Sequence, residues 1–181
     1  ARVFKISRDE QGNRLTHVRI IGGKLRVKEL LGEEKIDQIR LYSGEKYALA
    51  KEAVAGEVCA LTGLAKTFCG QGFGTQKETH APILEPIMTY RLLLPEGCDV
   101  HRAYTELCQL EEEEPELHIV WRESLGEIHV QLMGEVQIGI LQRQIRERFG
   151  LDVTFDQGSV VYRETIADVV EGVGHFEPLR H

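Results

Sequence analysis

A change of hydrophobic periodicity near the middle of the chain constrains its fold more than any other feature. Residues 1–77 show short β-rich runs separated by turn residues, with no good helical pattern. The runs are Arg2–Ser7, Leu15–Ile21, Lys35–Tyr42, Lys46–Val54 and Glu57–Leu64. Several short strands at this spacing predict a closed antiparallel β-barrel over residues 1–79.

Residues 82–158 show two helical patterns set between strands. Asp99 is placed to cap the first helix, whose apolar positions are Val100, Ala103, Tyr104, Leu107 and Leu110. The second helix stops at Gly150 and has its apolar positions at Met133, Val136, Ile140, Leu141, Ile145 and Phe149. The predicted strands are Ile87–Leu94, Leu117–Arg122, Glu127–Leu132 and Leu151–Phe155. This order, β-α-β-β-α-β, predicts an α+β ferredoxin-like sandwich over residues 82–158.

Residues 159–181 are too short for a domain, and Val160–Ile166 reads as a strand. They are expected to be the truncated start of a further domain. Since the chain also begins with Ala1 rather than Met, we expect a processed product or a piece of a larger protein.

The charge of the chain divides at the same place as its periodicity. The net charge is −7, yet residues 1–81 hold 14 Lys+Arg against 10 Asp+Glu, and residues 82–181 hold 8 against 19. All eight lysines lie in the first part. The division supports a boundary near Ala81-Pro82, and it makes the first part the better candidate for contact with nucleic acid.

No catalytic, cofactor-binding or metal-binding residues are predicted. The sequence lacks GxxxxGK[S/T], and Gly70-Gln71-Gly72-Phe73-Gly74 is better explained as a turn into the last barrel strand. There is no HExxH or CxxC, so Cys59, Cys69, Cys98 and Cys108 are expected to be reduced thiols. No nucleophile–base pair or carboxylate dyad stands out, and no apolar stretch is long enough for a transmembrane helix.

Four consecutive acidic residues, Glu111–Glu114, end the first helix just before Pro115. Acidic side chains at a helix C-terminus oppose the macrodipole. Two interpretations stay open: a solvated, frayed helix end, or a contact with a basic partner.

Five stretches carry a resemblance to elongation factor G. Residues 12–19 resemble its "GRL…VR" hairpin, residues 55–64 its "AGD(I/V)…GL" segment, and residues 110–115 its "L-x-EEDP" helix end. Gly134-Glu135 resembles its "GE-L-H" helix entry, and residues 162–166 match the "YRETI" that opens its fourth domain. Glu114 stands where Asp is usual, and Val136-Gln137-Ile138 is more similar to the tetracycline-resistance ribosomal protection branch.

The resemblance implies the second and third domains of a ribosome-binding translational GTPase, followed by the start of the fourth. By resemblance, GTP and Mg²⁺ are expected in an N-terminal domain outside this chain, which itself would hold no cofactor and hydrolyse nothing. The expected partner is the small ribosomal subunit, its RNA and its proteins. DNA and membrane are not expected as partners, and the fragment is expected to be cytoplasmic and monomeric.

Basic residues at the barrel hairpins are the candidates for contacts with ribosomal RNA phosphates: Arg14, Arg19, Lys24, Arg26 and Lys28. The alternative is that these barrel loops are simply solvated. The resemblance favours the ribosomal protection type first and an ordinary translocation factor second. A stand-alone adaptor that binds RNA or protein, with no GTPase domain, is the alternative from another class.

Overall fold

The computed structural model describes residues 1–76, 86–156 and the backbone of 159–160. Residues 1–76, called here the N-terminal half, contain only β-strands, whereas the other described residues, the C-terminal half, combine strands with two α-helices. The predicted boundary at Ala81-Pro82 and most of the predicted strand Val160–Ile166 lie outside the described residues.

The N-terminal half is built from nine strands, most of them short. They are β1 Arg2–Arg8, β2 Arg14–Arg19, β3 Lys24–Arg26, β4 Leu30–Leu31, β5 Glu34–Lys35, β6 Gln38–Ser43, β7 Lys46–Ala50, β8 Glu52–Val54 and β9 Val58–Thr62. Five of them form one antiparallel sheet in the order β1-β2-β9-β6-β7. The other strands form two small antiparallel pairs, β3 with β8 and β4 with β5.

The described part of this sheet is antiparallel, as predicted, but it does not close on itself. β1 and β7 lie at its two ends and do not pair with each other. The predicted strand Lys46–Val54 divides at Lys51, because its second part leaves the sheet and pairs with β3.

The glycine-rich segment that begins at Gly70 runs beside β1. The N–H of Val3 donates to the Gln71 carbonyl at 2.9 Å, and the N–H of Gly70 donates to the Val3 carbonyl at 2.9 Å. The sequence predicts a turn into a last barrel strand here. Through residue 76, the structure shows instead an isolated bridge between Arg2 and Gly72.

Side chains that alternate along the strands fill the core of the N-terminal half. Val18, Ile39 and Leu61, from three adjacent strands, have 0% exposure. Burying a large aliphatic side chain stabilises a fold by about 1.5–3 kcal/mol. The opposite side of the sheet is partly exposed, with Phe4 of β1 and Val58 of β9 about half accessible at 46% and 52%.

The C-terminal half has the element succession β-α-β-β-α-β, with its last strand in two pieces. The elements are β10 Met88–Leu93, α1 Val100–Glu113, β11 His118–Arg122, β12 Glu127–Leu132, α2 Glu135–Phe149, β13 Thr154–Phe155 and β14 Ser159–Val160. The sheet is antiparallel in the order β11-β12-β10-β13, and β14 pairs with the first residues of β10. Leu107 of α1 and Ile145 of α2 join Tyr90 and Val130 in one buried cluster, so both helices cover the same face of the sheet.

Local signals set the helix ends, as the sequence predicts. The Asp99 carboxylate accepts hydrogen bonds from the N–H groups of His101 and Arg102 at 2.9 and 3.3 Å. Gly150 adopts the left-handed conformation, and its N–H donates to the Arg146 carbonyl at 3.0 Å. No helix in the described part of the chain is long and apolar enough to cross a membrane.

The predicted apolar face of α2 is wrong at two positions. Val136 is 82% exposed and Ile140 is 44% exposed, whereas Leu141 and Ile145 are buried. Ile138, which the pattern omits, packs against the core instead. The helix is therefore rotated about its axis relative to the face that the sequence pattern suggests.

Candidate nucleic-acid interface

Three of the five predicted RNA-contact residues lie on an exposed two-stranded ribbon. This basic ribbon consists of β3, β8 and the turn that follows β3 as far as Lys28. Lys24 pairs with Val54 and Arg26 with Glu52, with Leu25 opposite Ala53 between them. Ala53 is fully buried and Leu25 packs against the core. Alternation therefore directs Lys24 and Arg26 outward.

One carboxylate lies between these two cations. Lys24 Nζ and Arg26 Nε are each 3.3 Å from a Glu52 carboxylate oxygen. Hydrogen bonds from Arg26 and Lys24 lower the pKa of Glu52, so its carboxylate is ionised at neutral pH. A second carboxylate lies beside them, since Glu29 accepts a hydrogen bond from the Arg26 N–H at 2.8 Å, so the cations of the ribbon are exposed but have carboxylates next to them.

Lys28 extends the ribbon through an unusual backbone conformation. Its φ is +69°, the only positive value at a non-glycine residue in the described chain. Its N–H donates to the Ile36 carbonyl at 2.7 Å, and its Nζ lies 2.8 Å from Asp37. The left-handed conformation costs an L-residue about 1–2 kcal/mol, so the surrounding hydrogen bonds hold Lys28 in place. Strained residues of this kind concentrate at functional sites.

Arg19 lies apart from the ribbon, at the end of β2. It is exposed and pairs with Val58 of β9 in the large sheet. It also lines a shallow surface groove with Phe4 and Ile21. Arg19 is thus available to solvent, but on a different surface from Lys24, Arg26 and Lys28.

Arg14 is held by contacts within the chain. Its guanidinium donates to the Leu64 carbonyl at 2.9 Å, to the Thr67 hydroxyl at 2.8 Å, and to Glu112 at 3.0 Å. The side chain is only 13% exposed. The geometry therefore gives Arg14 a structural role between the two halves, and an RNA contact at this residue stays a prediction.

The acidic end of α1 provides the other side of that contact. Glu112 lies within 3.0 Å of both Arg8 and Arg14, and Glu113 accepts two hydrogen bonds from Arg148 of α2 at 2.8 and 3.0 Å. We call these five residues the acidic junction. Of the two interpretations of the acidic run, the structure favours contact with basic groups, and these belong to the same chain. Their charges offset the unfavourable interaction with the helix dipole.

An exposed group of rings on the N-terminal sheet was not anticipated from the sequence. Phe4, His17, Tyr42 and Tyr47 form a continuous row, called here the aromatic row, with successive ring centroids 6.0, 6.3 and 5.3 Å apart. The four rings come from four different strands, and no single sequence pattern links them. The alternation of β6 was the available signal, because Ile39 and Leu41 point inward and leave Tyr42 on the opposite side.

The described residues offer little chemistry of their own. No group of three or more His, Cys, Asp or Glu side chains in this part of the chain could hold a metal ion. The four cysteines are free, and burial, with a smaller effect of Glu57, raises the pKa of Cys59 to about 11. A thiol with so high a pKa is a poor nucleophile.

The chain's homologues are elongation factors. It is 28% identical over 190 residues to elongation factor G 2 of Syntrophus aciditrophicus, covering 98% of this chain and 28% of that protein. It is 29% identical to elongation factor 2 of Methanoregula boonei, over 99% of this chain and 26% of that protein. Elongation factor 2 of Staphylothermus marinus is 32% identical over 83% of this chain and 22% of its own length. The chain thus spans about a quarter of the length of the curated relatives it matches.

A solved structure of a Thermus thermophilus protein has the same fold. The two superpose with a TM-score of 0.67 at 22% identity, over 86% of this chain and 25% of the other. No family model matches the sequence.

Proposed function

We propose that this chain is a central, non-catalytic section of a ribosome-binding translational GTPase of the elongation factor G type. The observation that carries the proposal is the alignment of 97–99% of the chain with proteins named elongation factor G or elongation factor 2. The exposed basic ribbon supports it, because a ribosomal factor meets a surface rich in phosphates. The cytoplasm, where ribosomes work, is the corresponding proposed location.

In such a protein GTP hydrolysis takes place in another domain, and this chain carries out no step of it. GTP and Mg²⁺ belong to the proposed N-terminal domain. The two halves described here would connect that domain to the ribosome and fix its orientation there. The gene for the whole protein should therefore encode GxxxxGK[S/T] upstream of residue 1. A complete reading frame without that motif would favour the stand-alone adaptor instead.

The fold of the whole factor is also part of the proposal. We expect the N-terminal sheet and its two small ribbons to belong to a β-barrel of the translation-factor type. The C-terminal strand order, with both helices on one face, supports a ferredoxin-like domain.

Within this function we assign contact with ribosomal RNA phosphates to Lys24, Arg26 and Lys28. Their side chains are 46%, 59% and 61% exposed, and each has only an exposed carboxylate as partner. Exposed ion pairs contribute about 0–1 kcal/mol, so phosphate can replace Glu52 or Asp37 at little cost.

Sedimentation of the chain with purified small ribosomal subunits tests this assignment. The double variant Lys24→Ala/Arg26→Ala should bind more weakly, and the dependence of log affinity on log salt should fall by about one unit per cation removed. Arg102→Ala is the matched control, because Arg102 is an equally simple exposed ion pair, 2.9 Å from Glu106, on the other half. Equal losses in both variants, or no loss in either, would exclude the ribbon.

The comparisons favour an ordinary translocation factor over the tetracycline ribosomal protection branch, since the named relatives are elongation factors. One residue-level observation favours the protection branch: the triplet Val136-Gln137-Ile138. In the structure Gln137 accepts a hydrogen bond from the N–H of Met133 at 2.7 Å, which is a local stabilisation of the helix start. Expression of the whole protein in a tetracycline-sensitive host separates the two, and we expect no gain of resistance.

A further inference from the structure

The large N-terminal sheet has an unusual distribution of charge. Its five strands, β1, β2, β6, β7 and β9, contain seven Lys or Arg residues and no Asp or Glu. The acidic residues of this half lie in turns and in the small ribbons instead. Three of these cations, Arg8, Arg14 and Arg40, pair with Glu112 or Asp9. Lys5 and Arg19 are among those left open to an anionic partner.

The exposed side of this sheet also carries the aromatic row. β1 contains an irregularity between Val3 and Lys5, so that Phe4 is an extra residue and Lys5 lies opposite His17. Tyr42 of β6 lies directly opposite Tyr47 of β7. Phe4, Tyr42 and Tyr47 are 46%, 39% and 47% exposed, which leaves ring surface open to solvent.

The charges around the row differ between its two ends. Asp9, Glu10 and Glu45 line the same hollow as Tyr42 and Tyr47, whereas cations lie toward Phe4 and His17. Lys5 lies opposite His17 and Arg19 lines a groove with Phe4, and neither has a carboxylate within ion-pair distance among the described residues. Arg40 stacks on Tyr47, its guanidinium carbon 4.5 Å from the ring centroid, while Asp9 holds its other side at 2.9 Å. Burial, and then the charge of Lys5, lower the pKa of His17, so its ring is neutral at pH 7.

We propose that this face binds an unpaired RNA segment, with bases stacked on the aromatic row and phosphates near Lys5 and Arg19. Base–aromatic stacking is sequence-tolerant because every base presents a π-face, and a cationic groove alongside follows the backbone. An apolar protein surface fits the face less well, because it would leave Lys5 and Arg19 without an anionic partner. The proposal depends on the proposed function only in taking RNA as the polymer, and it is independent of the basic ribbon.

Fluorescence anisotropy of the 181-residue chain with a labelled ten-nucleotide oligouridylate tests this proposal. We expect binding that weakens roughly 5- to 100-fold in Tyr42→Ala and in Tyr47→Ala, while Tyr42→Phe stays close to the parent. The dependence of log affinity on log salt should not change in the tyrosine variants, since no cation is removed. Lys5→Gln should lower that dependence by about 0.7.

Two further measurements, on a leucine variant and on an RNA duplex, make the result decisive. Tyr42→Leu retains apolar volume but lacks the π-face, so it separates lost stacking from lost folding, which circular dichroism checks. A ten-base-pair RNA duplex should bind less tightly than the single strand. Absence of binding, equal binding of duplex and single strand, or full affinity in Tyr42→Leu would each overturn the proposal.

The ribbon variant distinguishes this proposal from the proposed function. Lys24→Ala/Arg26→Ala should lose affinity for ribosomal subunits and keep its affinity for oligouridylate. If oligouridylate fails to bind while subunit binding depends on the ribbon, the face proposal fails alone and the proposed function stands.

Discussion

The two halves of the molecule place their charges in opposite ways. In the N-terminal half cations occupy the strands of the large sheet, and in the C-terminal half acidic residues concentrate at the end of α1. Where the halves meet, Arg8 and Arg14 pair with Glu112. The net charge of a stretch of sequence therefore does not equal the charge that it exposes to partners. Part of the positive excess of the N-terminal half and of the negative excess of the C-terminal half is neutralised where the two halves meet.

The largest expected effect tests whether the halves are stabilised separately. Ile39 and Ile145 both have 0% exposure, each in its own core, so Ile39→Ala and Ile145→Ala should each cost about 2–5 kcal/mol. Trp121, the single tryptophan, packs against the C-terminal core. Urea unfolding followed by its fluorescence should shift strongly in Ile145→Ala and little in Ile39→Ala. Equal shifts would show that the halves unfold as one unit.

A second effect, of intermediate size, is confined to the N-terminal half. Gly63 has a φ of +90°, and an added Cβ would lie 2.7 Å from the Lys35 carbonyl oxygen. Gly56 has a similar φ of +98° but open space around it. Gly56→Ala should cost about 1–2 kcal/mol from backbone strain, and Gly63→Ala clearly more because the carbonyl must move. Far-ultraviolet circular dichroism in urea measures both, and equal costs would contradict the steric argument.

Breaking the acidic junction should have a smaller effect. Glu112→Gln removes the charge that two largely buried arginines share, at a carboxylate that is itself 42% exposed. We expect a loss of about 1 kcal/mol that diminishes with added salt. Glu116→Gln, an exposed glutamate four residues further on, is the matched control. A double-mutant cycle between Arg14→Gln and Glu112→Gln should give a coupling energy, and additive effects would show that the pair contributes nothing.

The smallest expected effect is the acid dependence of two ion-paired carboxylates, one in each half. Arg26 and then Lys24 lower the pKa of Glu52, and Arg91 and then His129 lower that of Glu127. A carboxyl group with a lowered folded-state pKa stabilises the fold above its unfolded pKa. That contribution is lost as the pH falls below about 4.5 and through the folded value. The urea midpoints of Glu52→Gln and Glu127→Gln should therefore depend less on pH between about 5 and 3 than that of the parent. Unchanged pH profiles would contradict this.

The structural features that the sequence predicts well are those that neighbouring residues determine. Asp99 caps the start of α1 and Gly150 caps the end of α2, through hydrogen bonds to residues two to four positions away. Their roles therefore follow from neighbouring sequence. The phase of α2 is set by the sheet on which it packs. Val136 and Ile140 therefore satisfy the helical spacing and still lie outside the core.

The residues of the candidate nucleic-acid interface are likewise predictable only where the neighbouring sequence determines them. Exposed lysines next to turns, such as Lys24 and Lys28, can be anticipated from Gly22-Gly23 and the surrounding polarity. The role of Arg14 cannot, since its partner Glu112 is 98 positions away in the chain. The aromatic row draws its rings from four strands, and only the strand order brings Tyr42 near His17.

The position of Arg14 makes β2 the strand that connects the contact with α1 to the exposed surface of the sheet. At one end of this strand Arg14 is fastened to α1 through Glu112 and to the main chain at Leu64. At the other end Arg19 emerges on the outer surface of the sheet, beyond His17, about 17 Å away at a rise of roughly 3.4 Å per residue. β2 therefore joins, in a single strand, the contact with α1 and the exposed surface where Arg19 and His17 lie.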